Sequence, residues 1–248
     1  MKKICRIAKA ELLTMFYSPV AWLILIVFTI QMGISYVAIL KGVTNTQHMG
    51  YNYGSLTPSL LLDQIDGLFT VMQKYLYLYM PLLTMGLMSR EYSSGTIKLL
   101  YSSPITAKDI ILGKFLGMLY YGAILLGILL VLVLGFAVTV DNFNYAELFS
   151  GILGIFLLLG AYSAIGLFVS SLTSYQVVAA IGTLVLLAVL NYANQLWQDI
   201  AFVREITYWI CLSGRSGPMT GGLICSEDVI YFLVVIAMFL SLSILKLQ

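Results

Sequence analysis

Residues 115–138 read FLGMLYYGAILLGILLVLVLGFAV, a run of 24 residues without a single charged side chain. At a rise of about 1.5 Å per residue, a helix of this length measures about 36 Å, which is enough to cross the roughly 30 Å hydrocarbon core of a bilayer. Backbone groups find no water inside lipid, so such a span is predicted to be a helix rather than a strand. This stretch therefore places the chain among the membrane proteins.

The composition of the whole chain agrees with that class. Of the 248 residues 60% are hydrophobic and only 10% are charged, whereas soluble proteins carry about 25% charged residues. Five further apolar runs are long enough to span a bilayer. We therefore predict an all-α polytopic membrane protein, a single domain over residues 1–248, with six transmembrane helices at about 20–40, 68–88, 115–138, 148–170, 177–194 and 229–245.

The lysine and arginine residues are divided unequally between the two sides of this arrangement. Nine of the 13 lie in the N-terminal segment, in the loop after the second span or at the C-terminal end, and four lie on the opposite side. Loops on the cytoplasmic side carry the excess of basic residues. Both termini are therefore predicted to face the cytoplasm, which fits an even number of spans.

The segment before the first span, residues 1–18, is predicted to be an amphipathic helix lying in the inner membrane surface. Basic side chains line its other faces, and Ser18-Pro19 breaks the helix before the first span. Its apolar side chains recur at helical spacing: Ile4, Ile7, Ala8, Leu12 and Met15. The alternative is an ordinary charged flank of the first span.

The loop between the second and third spans, residues 89–114, reads SREYSSGTIKLLYSSPITAKDIILGK. Its apolar side chains share one helical face and its polar side chains the other, which predicts a short amphipathic helix at about 90–104. Pro104 ends that helix, and Thr106 with Asp109 forms a capping box that begins the next one. Such a helix lies on the inner membrane surface and presents its polar side to a soluble partner. The alternative is a basic inner loop with no partner.

Five short motifs follow one another through this loop: Arg90-Glu91, Gly95-Thr96, Leu99-Leu100, Ser103-Pro104 and Gly113-Lys114. In this order they resemble the first cytoplasmic loop of ABC-2 type transporter permeases. The stretch AELLTMFYSPVAWLILIVFTIQMG is similar to the elbow helix and first span of that family. The C-terminal stretch SEDVIYFLVVIAMFLSLSILKLQ is similar to its last span, near the gliding-motility-associated branch.

The resemblance implies an ATP-driven transporter, most members of which export. The loop helix would be a coupling helix that docks on a separate ABC ATP-binding subunit, which carries the ATP and Mg. A second permease subunit, identical or not, would complete the pathway in a bacterial cytoplasmic membrane. The coupling residues implied by position are Arg90, Glu91, Gly95, Thr96, Leu99, Leu100, Ser103 and Pro104. The alternative for Glu91 is a surface ion pair with Arg90 or Lys98.

Absent motifs narrow the function. The sequence contains no G-x-x-x-x-G-K-[ST], so no P-loop of its own binds ATP. No Asp or Glu lies in a predicted span, and Lys74 is the only charge there, which disfavours an ion-coupled carrier. The single histidine, His48, lies in an outer loop, so we expect no metal, no catalytic residue and no enzyme activity in this chain. We also expect no nucleic-acid partner. The other open reading is a membrane anchor or regulatory subunit of an ATPase that moves no substrate.

Few polar side chains lie within the spans. Gln31 and Asn191 are the first candidates to line a pathway, and the alternative is that they bond to neighbouring helices.

The outer segment 195–227 is semi-apolar. It is predicted to hold a helix, followed by a turn in the glycine-rich stretch SGRSGPMTGG, and to form an external gate. Ser226, with the acids after it, is predicted to begin the last helix. We expect Cys211 and Cys225 to be two buried thiols, and a disulfide is the alternative.

Overall fold

The computed structural model describes residues 2–48, 67–97, 105–139, 145–196, 211–220, 222–223 and 225–247. Within these ranges the regular elements are α-helices, and no strand is present. In chain order they are α1 (Lys2–Tyr17), α2 (Pro19–His48), α3 (Leu68–Thr84), α4 (Ser89–Ser94), α5 (Ala107–Thr139), α6 (Tyr145–Leu172), α7 (Gln176–Leu196), α8 (Leu212–Thr220) and α9 (Ser226–Leu247). The all-α prediction is confirmed for the part of the chain described.

Four of these helices are long and apolar enough to cross a membrane. They are α2 over Pro19–Gly42, α5 over Ala107–Gly135, α6 and α9. The helices at the predicted second and fifth spans are shorter: α3 has 17 residues, and the apolar part of α7 covers Gln176–Tyr192. The membrane-protein class is thus supported, whereas the count of six spans stays a prediction.

The predicted second span, 68–88, is too long. Helix α3 ends at Thr84, and a turn over residues 85–88 leads into α4. The apolar side chains of this turn suggested a continued helix. The chain instead turns there because its backbone groups bond a serine hydroxyl of α6.

The predicted loop helix at 90–104 is not one continuous helix. Helix α4 ends at Gly95, whose φ of 71° lies in the left-handed region that closes a helix and that glycine adopts without strain. Ile97, which follows, is buried, and residues 98–104 lie outside the described ranges. The capping box after them is confirmed: the amide of Asp109 donates to the Thr106 hydroxyl over 3.3 Å, at the start of α5.

Helix α6 forms the centre of the bundle. About 72% of its most apolar window is buried, against 17% for α2 and 22% for α9. Glycines allow its neighbours to approach closely: a Cβ on Gly151 would stand 2.7 Å from the Phe69 ring, and Gly166 lies directly against Thr84. Helices α2 and α9 therefore leave most of their apolar side chains on the outside of the bundle, whereas α6 is enclosed by protein on most sides.

The N-terminal helix is separate from the first span and packs against α5. The predicted break at Ser18 is present, and α2 begins at Pro19. The Tyr121 hydroxyl of α5 donates to the carbonyl of Ala21 over 2.8 Å, which ties the start of α2 to the same helix. Whether α1 lies in the membrane surface stays a prediction.

The glycine-rich outer stretch differs from its prediction. Most of it forms helix α8, and the turn comes later, at Gly222 with a φ of 89°. Helix α9 begins at Ser226 with two acids in its first turn, as predicted. Cys211 is buried, Cys225 is exposed and both are free thiols, so only the first matches the expected burial. The predicted helix within 197–210 lies outside the described residues.

Candidate coupling site

Four of the eight predicted coupling residues lie in the described part of the chain. Arg90 and Glu91 belong to α4, and Gly95 and Thr96 follow it directly. The other four, Leu99, Leu100, Ser103 and Pro104, lie outside the described residues. The site can therefore be built from α4 and from the helices that hold it.

Glu91 turns inward and meets a lysine of another helix. Its Oε1 lies 2.8 Å from the Nζ of Lys114, near the start of α5. The same ammonium lies 3.1 Å from an oxygen of Glu11 in α1. One buried cation thus joins three helices that are separate in the sequence. We call the set Glu11, Lys114 and Glu91 the charge cluster.

The charge cluster lies in a poorly solvated position. The Lys114 side chain is 3% exposed, and those of Glu11 and Glu91 are 14% and 22% exposed. Ions removed from water need good partners, and removing one partner of such a pair costs about 3–5 kcal/mol. Oε2 of Glu91 is buried and has no hydrogen-bond partner in the described part of the chain. The cluster therefore holds the three helices in one arrangement.

Arg90 and Glu91 do not pair with each other among the described residues, so the alternative of a surface pair between them is wrong. The Arg90 guanidinium lies over Gly86 instead, where an added Cβ would stand 3.0 Å from Nη2. It borders a cleft of about 220 Å³ between the end of α1, the start of α2, the end of α3 and the start of α7. Lys98, the other predicted partner, lies outside the described ranges.

The outer side of α4 is polar and exposed, and its exposed residues form what we call the outer face: Arg90, Ser93, Ser94, Gly95 and Thr96. The hydroxyls of Ser93 and Ser94 donate back to the carbonyl of Arg90, over 3.0 and 2.8 Å. These bonds hold both hydroxyls against the backbone of their own helix. The outer face is therefore locally ordered and accessible.

Two glycines of α5 hold α1 against the charge cluster. A Cβ on Gly113 would stand 2.6 Å from the Ile7 side chain, and one on Gly117 would stand 3.1 Å from the Ala8 carbonyl oxygen. The two glycines thus let α5 contact α1 closely. Lys114 lies between the two glycines, so the close approach brings α1 within reach of its ammonium.

Sequence reasoning placed Lys114 only within a family motif and missed Glu11. Glu11 is the only acid in α1, and a lone acid in a basic amphipathic helix is a signal that a partner is nearby. The partner itself was not readable, because the two residues are 103 positions apart.

The two predicted pathway residues bond to neighbouring helices. The Tyr79 hydroxyl donates to Oε1 of Gln31 over 2.9 Å. The Tyr162 hydroxyl donates to Oδ1 of Asn191 over 2.6 Å. These contacts match the alternative, in which the two side chains bond to neighbouring helices, and a pathway role stays a prediction.

A second buried ion pair lies at the opposite end of the bundle. Nη1 of Arg215 in α8 donates to Oδ1 of Asp228 in α9 over 3.1 Å, and both side chains are less than a tenth exposed. The guanidinium also lies 5.5 Å from the centre of the Tyr231 ring, a distance suited to a cation–π contact. This pair fixes the short outer helix to the last span.

Similarity to known proteins bears on the role of this site. Residues 5–201 match the family described as ABC-2 family transporter protein. That range contains the charge cluster and all the predicted coupling residues. The chain has no significant match among curated proteins.

Proposed function

This chain belongs to the ABC-2 family of transporter proteins, and we propose that it is the membrane-spanning permease subunit of an ATP-driven transporter. A separate ABC ATP-binding subunit provides the energy, because the sequence has no P-loop of its own. The permease moves its substrate outward when that partner binds and hydrolyses ATP.

The observation that carries the proposal is the charge cluster. Lys114 of α5 contacts Glu91 of α4 and Glu11 of α1 within 3.1 Å. A displacement of α4 is therefore passed to a membrane span and to the N-terminal helix together. Because the cluster is nearly closed to water, its electrostatic attraction is less screened than that of a surface pair.

The ATP-binding subunit docks on the outer face of α4. That face is exposed and polar, as expected of a surface that meets a soluble partner, and its opposite side is anchored in the bundle. The remaining predicted coupling residues, Leu99, Leu100, Ser103 and Pro104, extend the docking surface. In this arrangement Glu91 transmits movement and the outer face binds the partner.

The wider architecture follows from the sequence and the family. Six spans, with both termini in the cytoplasm, place α4 on the side where ATP is available. Two permease subunits pair about a central pathway in a bacterial cytoplasmic membrane. Helix α8, held by Arg215 and Asp228, belongs to an outer gate. Membership of the gliding-motility-associated branch stays part of this proposal.

The test is affinity purification of the tagged chain in mild detergent, with mass spectrometry of the proteins that remain bound. We expect a stoichiometric P-loop ATPase with the wild-type chain and its loss with Ser93→Trp in the outer face. Ser174→Trp is the matched control, because Ser174 is also an exposed serine near the inner end of the bundle.

Four outcomes separate the possibilities. Loss of the ATPase with Ser93→Trp alone supports docking on α4. Loss with neither variant, or with both, contradicts docking at this surface. A bound ATPase whose rate no transported compound ever alters favours the anchor or regulatory subunit, and absence of any P-loop partner contradicts the proposed function.

A further inference from the structure

The turn between α3 and α4 is held by a residue far away in the sequence. The hydroxyl of Ser170, near the inner end of α6, accepts hydrogen bonds from the amides of Met88 over 3.0 Å and Ser89 over 3.2 Å. It donates to the carbonyl of Met85 over 3.0 Å. Ser170 is fully buried.

These three bonds use the whole capacity of the hydroxyl, which has one donor and two acceptor lone pairs. The first amides of a helix lack partners within the helix and are normally capped by a nearby polar side chain. The N-cap residue of α4 is Met88, which provides no side-chain cap. Ser170 supplies the cap from another helix, so the start of α4 is fixed to α6.

The contact extends one turn further along α6. Gly166 lies four residues before Ser170, on the same helical face, and the Thr84 side chain at the end of α3 packs directly against it. Thr84 is fully buried and bonds its own helix through the Met80 carbonyl. The end of α3 and the start of α4 thus share one small, polar patch of α6.

The other end of α6 makes a corresponding contact. The hydroxyl of Ser150 donates to the carbonyl of Met219 in α8 over 2.9 Å, and both residues are buried. Twenty residues of helix separate Ser150 from Ser170, which is about 30 Å and about the thickness of the hydrocarbon core. The most enclosed helix of the bundle therefore connects α4 directly to α8.

We infer that Ser170 is a positioning residue that couples α4 to α6, so that a displacement of α4 travels along α6 to the outer helix α8. The inference rests on the proposed function for the source of the displacement. It assigns α6, in addition to α5, which carries Lys114, as a route from the ATPase side of the membrane to the opposite side.

The first test uses the purified chain alone in lipid nanodiscs. Hydrogen exchange of peptides containing Met88 and Ser89 is compared between wild type, Ser170→Ala and Ser163→Ala. Ser163 is the matched control, because it is buried in the same helix and its hydroxyl donates to the Leu159 carbonyl of its own turn, its one hydrogen bond in the described part of the chain. Two buried amides lose their acceptor in Ser170→Ala, so we expect about tenfold faster exchange at these peptides and no change in the control.

The second test measures transmission in the complex with the co-purified ATPase. Cys211, which directly precedes α8, is the reporter, and Cys5→Ser with Cys225→Ser removes the two exposed thiols. In this background Mg-ATP with vanadate is expected to change the labelling rate of Cys211 by a membrane-impermeant maleimide about fivefold or more. Ser170→Ala should abolish that change while the ATPase stays bound and active, and Ser163→Ala should keep it.

Each result either supports or contradicts the inference about Ser170. Unchanged exchange in Ser170→Ala shows that Ser170 does not hold α4. A wild-type complex without an ATP-dependent change at Cys211, or a Ser170→Ala complex that keeps it, contradicts transmission along α6. If no ATPase co-purifies, the proposed function fails, and the exchange experiment still decides whether Ser170 fixes α4.

Discussion

Lys114 lies 2.8 Å from Glu91 across the boundary between two helices that the sequence joins only through the loop at 95–106. The pair brings the inner end of a membrane span against the short helix that precedes it. With Glu11 on its other side, Lys114 has two carboxylate partners, so the cluster carries a net charge of −1.

Removing the Lys114 cation from the charge cluster should lower the stability of the protein. Lys114→Met leaves two carboxylates close together in a poorly solvated site, and we expect the free energy of unfolding to fall by about 3–5 kcal/mol. Adding Glu11→Gln and Glu91→Gln removes the repulsion, so the triple variant should recover most of that loss. Thermal unfolding followed by tryptophan fluorescence measures the loss of stability in Lys114→Met and its recovery in the triple variant.

The triple variant also tests the proposed role of the cluster. It should bind the ATPase through the intact outer face of α4 and yet respond weakly to ATP in the Cys211 labelling experiment. A triple variant with a full response would show that the charges serve stability alone.

Enlarging Gly117 should displace the N-terminal helix. A valine side chain there meets the Ala8 backbone and the Glu11 side chain, so we expect faster hydrogen exchange throughout α1. Gly127→Val is the control, because Gly127 lies in the same helix and, apart from that helix's own backbone, no atom of the described residues lies within 4 Å of its Cβ position. Equal exchange in the two variants would contradict the close packing of α1 on α5.

The outer ion pair should be important for stability. Arg215→Gln leaves the Asp228 carboxylate buried without its cation, and a fall of about 3–5 kcal/mol in the free energy of unfolding is expected. The reversed pair, Arg215→Asp with Asp228→Arg, should recover part of it. The measurement is thermal unfolding of wild type, Arg215→Gln and the reversed pair. A reversed pair no more stable than Arg215→Gln would argue against a direct charge interaction.

The native cysteines provide a test of sidedness. Cys5 is exposed on α1 and Cys225 is exposed before α9. The proposed topology puts these two thiols on opposite sides of the membrane. In intact cells a membrane-impermeant maleimide should label the Cys5→Ser variant through Cys225. The Cys225→Ser variant should be labelled only after the cells are permeabilised. The reverse pattern would place the termini outside.

The sequence was most informative where hydrophobic length decides the structure. Runs without charge placed α2, α5, α6 and α9, because a long apolar helix has no other stable environment than lipid or a protein interior. The capping box at Thr106 was also readable, because its two residues are three positions apart and bond each other.

The sequence was least informative where distant residues decide the structure. The apolar turn after Thr84 suggested a continued helix, and the hydroxyl that stabilises the turn comes from Ser170, 82 positions after Met88. The glycine-rich outer stretch suggested a turn, and it is helical where Arg215 is held by Asp228. Local propensity is overridden at both places by tertiary contacts.

The two sides of α4 have separate roles: one anchors the helix in the bundle, and the other is the proposed docking surface for the ATPase. Its anchors are the pair of Glu91 with the buried Lys114 and the backbone capped by the buried Ser170. Ser93, Ser94 and Thr96 face outward, and the hydrogen bonds found for them in the described part of the chain stay within residues 90–96. Substitutions at the outward positions therefore leave the anchors unchanged. Exchanging those few side chains should redirect a permease to another ATPase without rebuilding its bundle.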